Sequence, residues 1–569
     1  MFEFITIYMT LFLKYIFLFV LTCFFGRSFV ILIARFLLKD EKIPDQILQT
    51  KNVITYPIIG LVLVGNLLIF INFFIELKSI YIYLFLSLFL LPNLYKIKKL
   101  QNFINLDNFI YFIFIPAVLL ISSSDINFHY DAAYYHLNHQ NWLRESNLII
   151  GFVNVFWPFG MSSVYEYLSS VLWLKDSLIY LHFLSLIFLH FFFSFLYFQL
   201  FKSRNNSLKY SSLFILVYAL LDNFGINGGR NGFLYIQEIG KQDIAVAVLF
   251  CFLSIVILDS IIKSEISNID ITITSLIVFF IFELKVSGVF IFYLFFVLIF
   301  LQLKKKKLTF SKLLKLQLPT IFFGVVWTIK SILTTACIIY PLTFTCFENF
   351  SWYEKGSTER VEAYTTSTSF AFMEYFQDPN RTFIDWFNTF FNSENSDFSN
   401  YYRSVYLNFI FSLVIIYLLK KLFLVSKKNK LNFKLIILSF IFLSLLYLVF
   451  YGPIPRYSVG ILCSIIALLG FTVQDEKIKI PNILFLGLFI ISLALLPRIN
   501  SYFYLIENSN FALFDPRIEP QYQEVQINEN WIKPDNGDRC WINLRCTMEP
   551  RTINIDSDNF YKVAYKTGK

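Results

Sequence analysis

Residues 122–167 read SSSDINFHYDAAYYHLNHQNWLRESNLIIGFVNVFWPFGMSSVYEY, the longest polar interruption in the first half of a very apolar sequence. The stretch holds three of the five histidines and several acidic residues close to them. These residues are His129, His136, His139, Asp125, Asp131 and Glu145. We interpret the stretch as an active-site loop that lies on the surface of a membrane.

The composition predicts a protein that crosses a membrane many times. Hydrophobic residues make up 57% of the 569 positions and charged residues 15%, and the mean hydropathy is +0.61. A soluble globular chain has about 25% charged residues. The apolar residues come in runs of about 15–25, the length that spans a hydrocarbon core. We predict an all-α integral membrane protein with about 12–14 transmembrane helices.

Charge predicts the sidedness of the chain. Short basic loops at 96–99, 202–209, 304–315, 427–430 and 477–479 are typical of the cytoplasmic side. From Tyr340 to Tyr402, by contrast, nine acidic residues accompany only three basic ones. We therefore expect a bacterial inner-membrane protein whose large segments are extracytoplasmic. They are the outer loops 123–174, 222–242 and 340–403 of a polytopic domain over residues 1–497, and a C-terminal segment over 498–569.

Chemistry is expected on that outer face. The cytoplasmic loops contain no Gly-rich phosphate-binding loop, so an activated substrate would be carried by a lipid and not by a soluble nucleotide. The lysine run 304–307 is interpreted as a membrane anchor and not as a nucleic-acid site. Cys540 and Cys546 lie in a polar segment predicted to be extracytoplasmic, which favours a disulfide; two unrelated thiols are the alternative.

Asp131 immediately precedes a polar helix-forming sequence that is too hydrophilic to span a membrane. It fits two roles, a helix N-cap or a partly buried general base whose pKa is raised. Tyr135 and His139 follow at i+4 and i+8 and share its helical face, and Trp142 is expected at headgroup level. The three histidines match no specific zinc spacing, so a metal triad is the weaker interpretation.

Further candidate residues stand at the predicted outer ends of spans. Asp243 opens a span, either as a cap or as a functional carboxylate, with Glu238 and Lys241 close by. Lys285 follows Glu283 between two short spans, and this pair either acts at the site or merely ends two helices. Lys330 lies inside a span. Arg456 occupies a short outer loop, where it suits a phosphate group or a lipid headgroup.

Together these features resemble GT-C-type glycosyltransferases, including the protein O-mannosyltransferase and aminoarabinose-transferase branches. A closer resemblance is to an uncharacterised bacterial family of large multi-pass membrane proteins grouped with them. The matching pieces are YDAAYYHLNHQNWLRESNLIIGFVNVFWPFGMSS, QDIAVA, ELKVSG, WTIKSILTTACIIYPLTF with Trp352, GPIPRYSVG and GDRCWINLRCT.

The resemblance implies a GT-C-like fold and a polyprenyl-phosphate-linked sugar donor. It implies Asp131 as the catalytic acid–base group, assisted by His136 and Asp243, with Arg456 and Lys285 on the donor phosphate. Substrate-positioning roles are then expected for Tyr135, His139, Trp142, Lys330 and Trp352. Two departures stand out: Lys330 replaces an expected arginine, and Asp131 replaces an adjacent acidic pair. The second leaves open whether a divalent cation takes part.

Two alternatives come from other classes. An O-antigen polymerase or ligase acting on lipid-linked glycans would depend on outer arginines more than on Asp131. A non-enzymatic flippase for lipid-linked sugars would need a polar path through the whole membrane, whereas the polar residues here cluster at the outer ends of the spans. The sugar and the acceptor, whether a glycan, a lipid or a protein, are not readable from the residues.

Overall fold

The computed structural model is mostly helical. It describes residues 2–38, 54–94, 106–174, 177–224, 234–370, 382–392, 397–423, 431–451, 455–473, 482–507, 524–526, 530–534, 537–548, 553–556 and 560–566. The apolar composition places most of the chain in lipid, where no water can bind to the backbone. Each segment must therefore satisfy its own backbone hydrogen bonds, and an α-helix does so.

The helices are numbered in chain order. They are α1 (Phe2–Leu32), α2 (Tyr56–Asn72), α3 (Ile80–Leu88), α4 (Leu106–Asp125), α5 (Leu137–Glu145), α6 (Val164–Ser170), α7 (Ile179–Phe201), α8 (Asn206–Phe224), α9 (Asp243–Lys263), α10 (Asn268–Leu284), α11 (Ile291–Lys304), α12 (Phe310–Thr335), α13 (Lys355–Phe370), α14 (Phe383–Asn392), α15 (Asp397–Phe423), α16 (Leu431–Tyr451), α17 (Pro455–Gly470), α18 (Asn482–Ala494) and α19 (Ile499–Glu507).

The described part of the chain contains seven helices long and apolar enough to cross a membrane. The number is eight if α18 and α19, bent by 73° at their junction, form one span. The protein is therefore a multi-pass integral membrane protein, and its described residues support about seven or eight long spans beside the 12–14 helices expected. The described residues also include apolar helical stretches of 10–17 residues, shorter than the roughly 20 residues of a full crossing, one of which lies within the 21-residue α16. Four such apolar helices lie at 56–72, 80–93, 435–450 and 460–470.

Helix α9 defines the two faces of the molecule. Its 21 residues run from Asp243 to Lys263, a length of about 30 Å. At the Lys263 end, Lys305 and Lys307 donate hydrogen bonds to Ser264 at 2.6 and 2.7 Å. We call this end the basic face and the Asp243 end the loop face.

The other spans follow the same arrangement. Asp107 at the start of α4 pairs with Lys202 at the end of α7 at 2.9 Å, and Lys420 near the end of α15 contacts Thr472. The predicted basic loops at 202–209 and 304–315 thus share the basic face. Those at 96–99, 427–430 and 477–479 lie outside the described residues.

The C-terminal segment adds β-structure to the predicted all-α fold. Strand β1 (Glu524–Gln526) pairs antiparallel with β2 (Ile532–Pro534), and β3 (Ile553–Asp556) pairs antiparallel with β4 (Val563–Lys566). Ile150 joins this region to the loop face, since it accepts a hydrogen bond from Ala564 and donates one to Lys562, at 2.8 and 2.9 Å. A segment outside the lipid bilayer can form such hairpins, which hydropathy does not predict.

Two glycines set the closest helix crossing. A Cβ at Gly26 would lie 1.9 Å from the Tyr56 carbonyl oxygen, and a Cβ at Gly60 would lie 2.0 Å from the Thr22 carbonyl oxygen. Small residues at a crossing let two backbones approach inside a membrane. The contact holds α1 against α2, which reaches the loop face at Asn72, where the Asn72 side chain donates to the Ser146 carbonyl at 3.1 Å.

Candidate active site

Two separate segments hold Asp131 at the loop face. Residues 127–129 lie beside Ile239: its N–H donates to the Asn127 carbonyl at 3.0 Å, and its carbonyl accepts from the His129 N–H at 2.9 Å. The next residue, Gly240, has a φ of +92°, and a Cβ there would lie 2.5 Å from the Ala132 Cβ. Glycine is therefore required for the approach of these two segments.

The Asp131 carboxylate pairs with Lys241 and does not cap the helical turn that follows it. Its Oδ2 lies 3.4 Å from Lys241 Nζ and 3.5 Å from His129 Nδ1, and the side chain is 23% exposed. Residues Ala132–His136 form a π-helical turn that receives no side-chain capping bond from Asp131. The structure therefore does not show the N-cap alternative, and the side chain is instead paired with Lys241 at a partly exposed position.

A second ion pair lies directly beside the first. Asp243, the first residue of α9, is buried and contacts Lys285 Nζ, which also lies 4.6 Å from the centre of the Tyr457 ring. Lys241 and Asp243 are two residues apart, so their Cα atoms are within about 7 Å. Asp131, Lys241, Asp243 and Lys285 thus form one group, which we call the carboxylate–lysine cluster.

Arg456 is the second residue of α17 and directly precedes Tyr457. Its side chain lies outside the described residues. Because the neighbouring Tyr457 ring contacts Lys285, the Arg456 backbone lies near the carboxylate–lysine cluster. The role of Arg456 in phosphate binding stays a prediction.

One more ion pair borders the cluster. Arg498, just before α19, contacts Glu238 Oε1 at 2.5 Å and lies 3.9 Å from Asp125 Oδ2. Charged residues from four separate stretches, at 125–131, 238–243, 285 and 498, therefore meet at the loop face.

Sequence reasoning missed Glu166, which is almost fully buried. It contacts His136 Nδ1 and accepts a hydrogen bond from Gln140 Nε2 at 2.8 Å, and Gln140 in turn accepts from Trp173 Nε1 at 3.0 Å. Burial raises the pKa of Glu166, but His136 and its hydrogen bond outweigh this and the net pKa is lowered. The signal was an acidic residue in the otherwise neutral SSVYEY sequence.

His136 and His139 are both buried in this region. The Tyr135 ring lies 4.0 Å from the His136 ring, and His139 Nε2 is 3.3 Å from Ser162 Oγ. Burial lowers the pKa of His139 to about 3; Glu166 opposes this shift, and Lys330 and His136 add to it. His139 is therefore neutral near pH 7.

The remaining predicted positioning residues lie deeper than the carboxylate–lysine cluster. Lys330 Nζ donates to the Ser162 carbonyl at 3.1 Å and lies 5.2 Å from the Trp327 ring centre. Trp142 is buried, 6.0 Å from the Phe152 ring centre. Trp352 donates to the Ile332 carbonyl at 3.3 Å. Their assignment to substrate positioning stays a prediction; the contacts seen are packing and hydrogen bonds.

Glu283 and Lys285 do not pair with each other. Glu283 is buried and accepts a hydrogen bond from Asn66 Nδ2 at 2.9 Å, whereas Lys285 pairs with Asp243. Helix α10 ends between them, and Lys285 is extended at φ −162°. The end of the helix therefore turns the two charges toward different partners.

The C-terminal segment covers the helix that follows Asp131. Tyr130 contacts Asp538 through its hydroxyl, and Arg539 lies 4.8 Å from the Tyr130 ring centre. Trp541 donates its backbone N–H to the Ala133 carbonyl at 2.9 Å, and Asn138 donates to the Asn543 carbonyl at 2.6 Å.

Two disulfides lie at the loop face. The structure joins Cys540 to Cys546 inside the covering segment, as the sequence predicts. It also joins Cys337 to Cys346 after α12, a pair that the sequence did not indicate. Within the described residues, no group of three or more His, Cys, Asp or Glu side chains is arranged to hold a metal ion.

The family is decided by a match over residues 9–463 to the model described as Domain of unknown function (DUF8201). The chain belongs to the DUF8201 family. The matched residues include the whole carboxylate–lysine cluster and Arg456, and they end before the C-terminal segment that packs on the helix after Asp131. No curated protein and no solved structure matches the chain. The relation of this DUF8201 protein to GT-C enzymes stays a prediction.

Proposed function

We propose that this protein is a membrane glycosyltransferase that moves a sugar from a polyprenyl-phosphate-linked donor to an acceptor at the extracytoplasmic face of a bacterial inner membrane. The observation that carries the proposal is the carboxylate–lysine cluster. It combines a partly exposed carboxylate with two ammonium groups at the membrane end of α9, which are the groups needed to activate a hydroxyl and to bind a phosphate.

Asp131 acts as the general base in this proposal. Its carboxylate takes the proton of the acceptor hydroxyl while the acceptor oxygen attacks the anomeric carbon of the donor from the side opposite the phosphate. The bond between the anomeric carbon and the phosphate oxygen breaks, and its electron pair leaves with the polyprenyl phosphate. The configuration at the anomeric carbon is inverted.

Lys285 and Arg456 bind the donor phosphate and stabilise the charge that develops on the leaving group. Asp243 holds Lys285 in place through the buried ion pair. His136, fixed by Glu166, supports the helix that follows Asp131. Tyr135, His139, Trp142, Lys330 and Trp352 shape the region beneath, where the sugar and acceptor are held.

The sidedness of the proposal rests on charge and cysteine chemistry. Positive charge collects on the cytoplasmic side of bacterial membrane proteins, and the basic face carries the lysine run 304–307. Disulfides persist in oxidising compartments, and both disulfides lie at the opposite, loop face. Both observations support the proposal that the loop face lies outside the cell.

The distribution of buried charges favours an enzyme over a flippase. A flippase needs polar groups along the whole crossing. Among the described residues of α9, α10 and α12, Asp243, Glu283 and Lys330 are the buried charged residues, and all three lie near the loop-face ends of their helices.

An Asp131→Asn variant tests the assignment of the base. With labelled polyprenyl-phosphate sugars and an envelope extract as acceptor, we expect transfer to fall by about 100-fold or more. Glu145→Gln, which removes an exposed carboxylate from the same segment, is the matched control and should keep wild-type transfer. Near-normal transfer by the folded Asp131→Asn variant would rule out Asp131 as the base.

A further inference from the structure

The two lysines of the carboxylate–lysine cluster each pair with a carboxylate. The proposed function uses one carboxylate, Asp131, as the base and the other, Asp243, to hold Lys285 in place. Lys241 pairs with Asp131 and Lys285 pairs with Asp243, at adjacent positions around the start of α9. We propose that both lysines bind the phosphate of the substrate, that Lys241 is a phosphate ligand in its own right, and that phosphate binding releases Asp131 from Lys241. This inference rests on the proposed function and adds to it a residue and a sequence of events.

The cluster is open to an approaching anion. The side chains of Asp131, Lys241 and Lys285 are 23%, 18% and 23% exposed, whereas that of Asp243 is 4% exposed. A phosphate can therefore reach both ammonium groups from the loop face. It meets Asp131 at the surface, while Asp243 lies behind Lys285.

The two ion pairs differ in how easily they exchange partners. The Lys241–Asp131 distance of 3.4 Å is long for an ion pair, and both groups are partly hydrated. Such pairs contribute little net stability, because attraction, side-chain ordering and solvent screening nearly cancel. The phosphodiester of the donor carries one negative charge, as a carboxylate does, but Lys285 holds it beside Lys241, so it displaces Asp131 as the partner of Lys241.

Lys285 keeps its carboxylate and gains a second ligand. An ammonium group has three N–H donors, and the contact with Asp243 uses one of them. The Tyr457 ring at 4.6 Å holds the ammonium group from another side. Lys285 is therefore a fixed phosphate ligand, and Lys241 is the ligand that exchanges.

The exchange couples donor binding to catalysis. While it is paired with Lys241, Asp131 is a weakened base, since a nearby cation favours the deprotonated carboxylate and lowers its affinity for a proton. When the phosphate takes Lys241, that cation no longer lies against Asp131, and Asp131 accepts a proton more readily. The acceptor hydroxyl is thus activated only after the donor is bound.

Phosphate binding, measured apart from transfer, tests the inference. The purified full-length protein in nanodiscs of neutral lipid is titrated with farnesyl phosphate, with farnesol, and with inorganic phosphate, and the intrinsic tryptophan fluorescence is followed. Lys241→Gln and Lys285→Gln should each weaken farnesyl phosphate binding by about tenfold or more, because each removes a hydrogen bond between charged groups. Lys78→Gln, which breaks an exposed ion pair with Glu145 on the same face, should bind as the wild type does.

The carboxylate variants give the decisive result. Asp131→Asn removes the competitor for Lys241, so it should bind farnesyl phosphate about threefold or more tightly than the wild type. Lys285→Gln removes the cation beside the buried Asp243. The double variant Lys285→Gln with Asp243→Asn therefore repeats the measurement in a chain that lacks both charges of this ion pair. The inference is overturned if Lys241→Gln binds like the wild type, or if Asp131→Asn binds more weakly.

The three ligands distinguish a lipid-borne phosphate from free inorganic phosphate. The proposed function and the phosphate-binding inference can also fail independently of each other. Farnesyl phosphate binding well above both farnesol and inorganic phosphate supports a lipid-borne phosphate. Binding of farnesol as tightly as farnesyl phosphate overturns the inference. If Asp131→Asn binds phosphate tightly but transfers sugar normally, the proposed base is wrong and the phosphate site stands. If Asp131→Asn loses transfer without a gain in phosphate binding, the proposed base stands and the exchange of Lys241 between Asp131 and phosphate is wrong.

Discussion

At the scale of single residues, His139 makes stability depend on pH. Burial lowers its pKa to about 3, below the ordinary value of 6.5. Between these values the unfolded chain binds a proton that the folded chain does not, so stability falls as pH falls from 6.5 toward 3. The loss at pH 5 relative to pH 7 is about 2 kcal/mol for this group. Glu166, whose pKa is lowered, loses its contribution only below its ordinary pKa of 4.5.

The check is the unfolding midpoint temperature of the purified protein between pH 7.5 and pH 5. His139→Gln, which keeps a hydrogen-bonding group toward Ser162, should reduce the drop in midpoint over this range. His129→Gln changes a partly exposed histidine and serves as the control. A His139→Gln variant with the same pH dependence as the wild type would contradict this account.

The sequence predicted part of the candidate site at this scale. Asp131 and Asp243 were singled out because each leads a helix at the predicted outer surface, and Lys285 because charges at membrane depth are costly. The structure pairs Asp243 with Lys285, and Asp131 with Lys241 two residues before Asp243. Glu166 was missed because its partner His136 stands 30 positions away and no local pattern links them. The Lys241–Asp131 pair, separated by 110 positions, was likewise not readable from spacing.

At the scale of elements, Gly240 controls the position of the Asp131 turn. A Cβ at this position would press against Ala132 at 2.5 Å, and the φ of +92° is strained for other residues. Gly240→Ala should destabilise the fold by about 1–3 kcal/mol and lower transfer by displacing Asp131 from the site where the donor and acceptor meet. Gly487→Ala, where nothing lies within 4 Å of the new Cβ, is the control for both readouts. Equal midpoints and transfer rates for the two variants would be inconsistent with this role.

Hydropathy predicted the positions of the helices well, but it predicted less well which of these helices cross the membrane. The apolar runs over α7, α9 and α12 were found because a run of about 20 apolar residues has the length of a transmembrane helix and fits few other structures. Shorter apolar helices such as α2 were counted as full crossings, because hydropathy does not register where a helix stops. The C-terminal hairpins were not predicted, since strands of three or four residues give no periodic signal.

At the scale of the whole molecule, the opposition of the loop and basic faces predicts the topology. Glu359→Cys on α13 and Lys312→Cys on α12 each introduce an exposed thiol, one at either face. In intact cells a membrane-impermeant maleimide should label Glu359→Cys and leave Lys312→Cys unlabelled until the membrane is broken. The unmodified protein, whose described free cysteines lie in helices, is the control. Labelling of Lys312→Cys alone in intact cells would invert the proposed sidedness.

The fate of the donor lipid is the most direct test of glycosyl transfer at the loop face. Purified protein in vesicles is given a panel of polyprenyl-phosphate sugars labelled in both the sugar and the lipid, together with an envelope extract. The account predicts that one donor is consumed, with one polyprenyl phosphate released for each sugar transferred. Movement of an intact donor across the vesicle membrane, with no polyprenyl phosphate released, would contradict it and indicate a flippase.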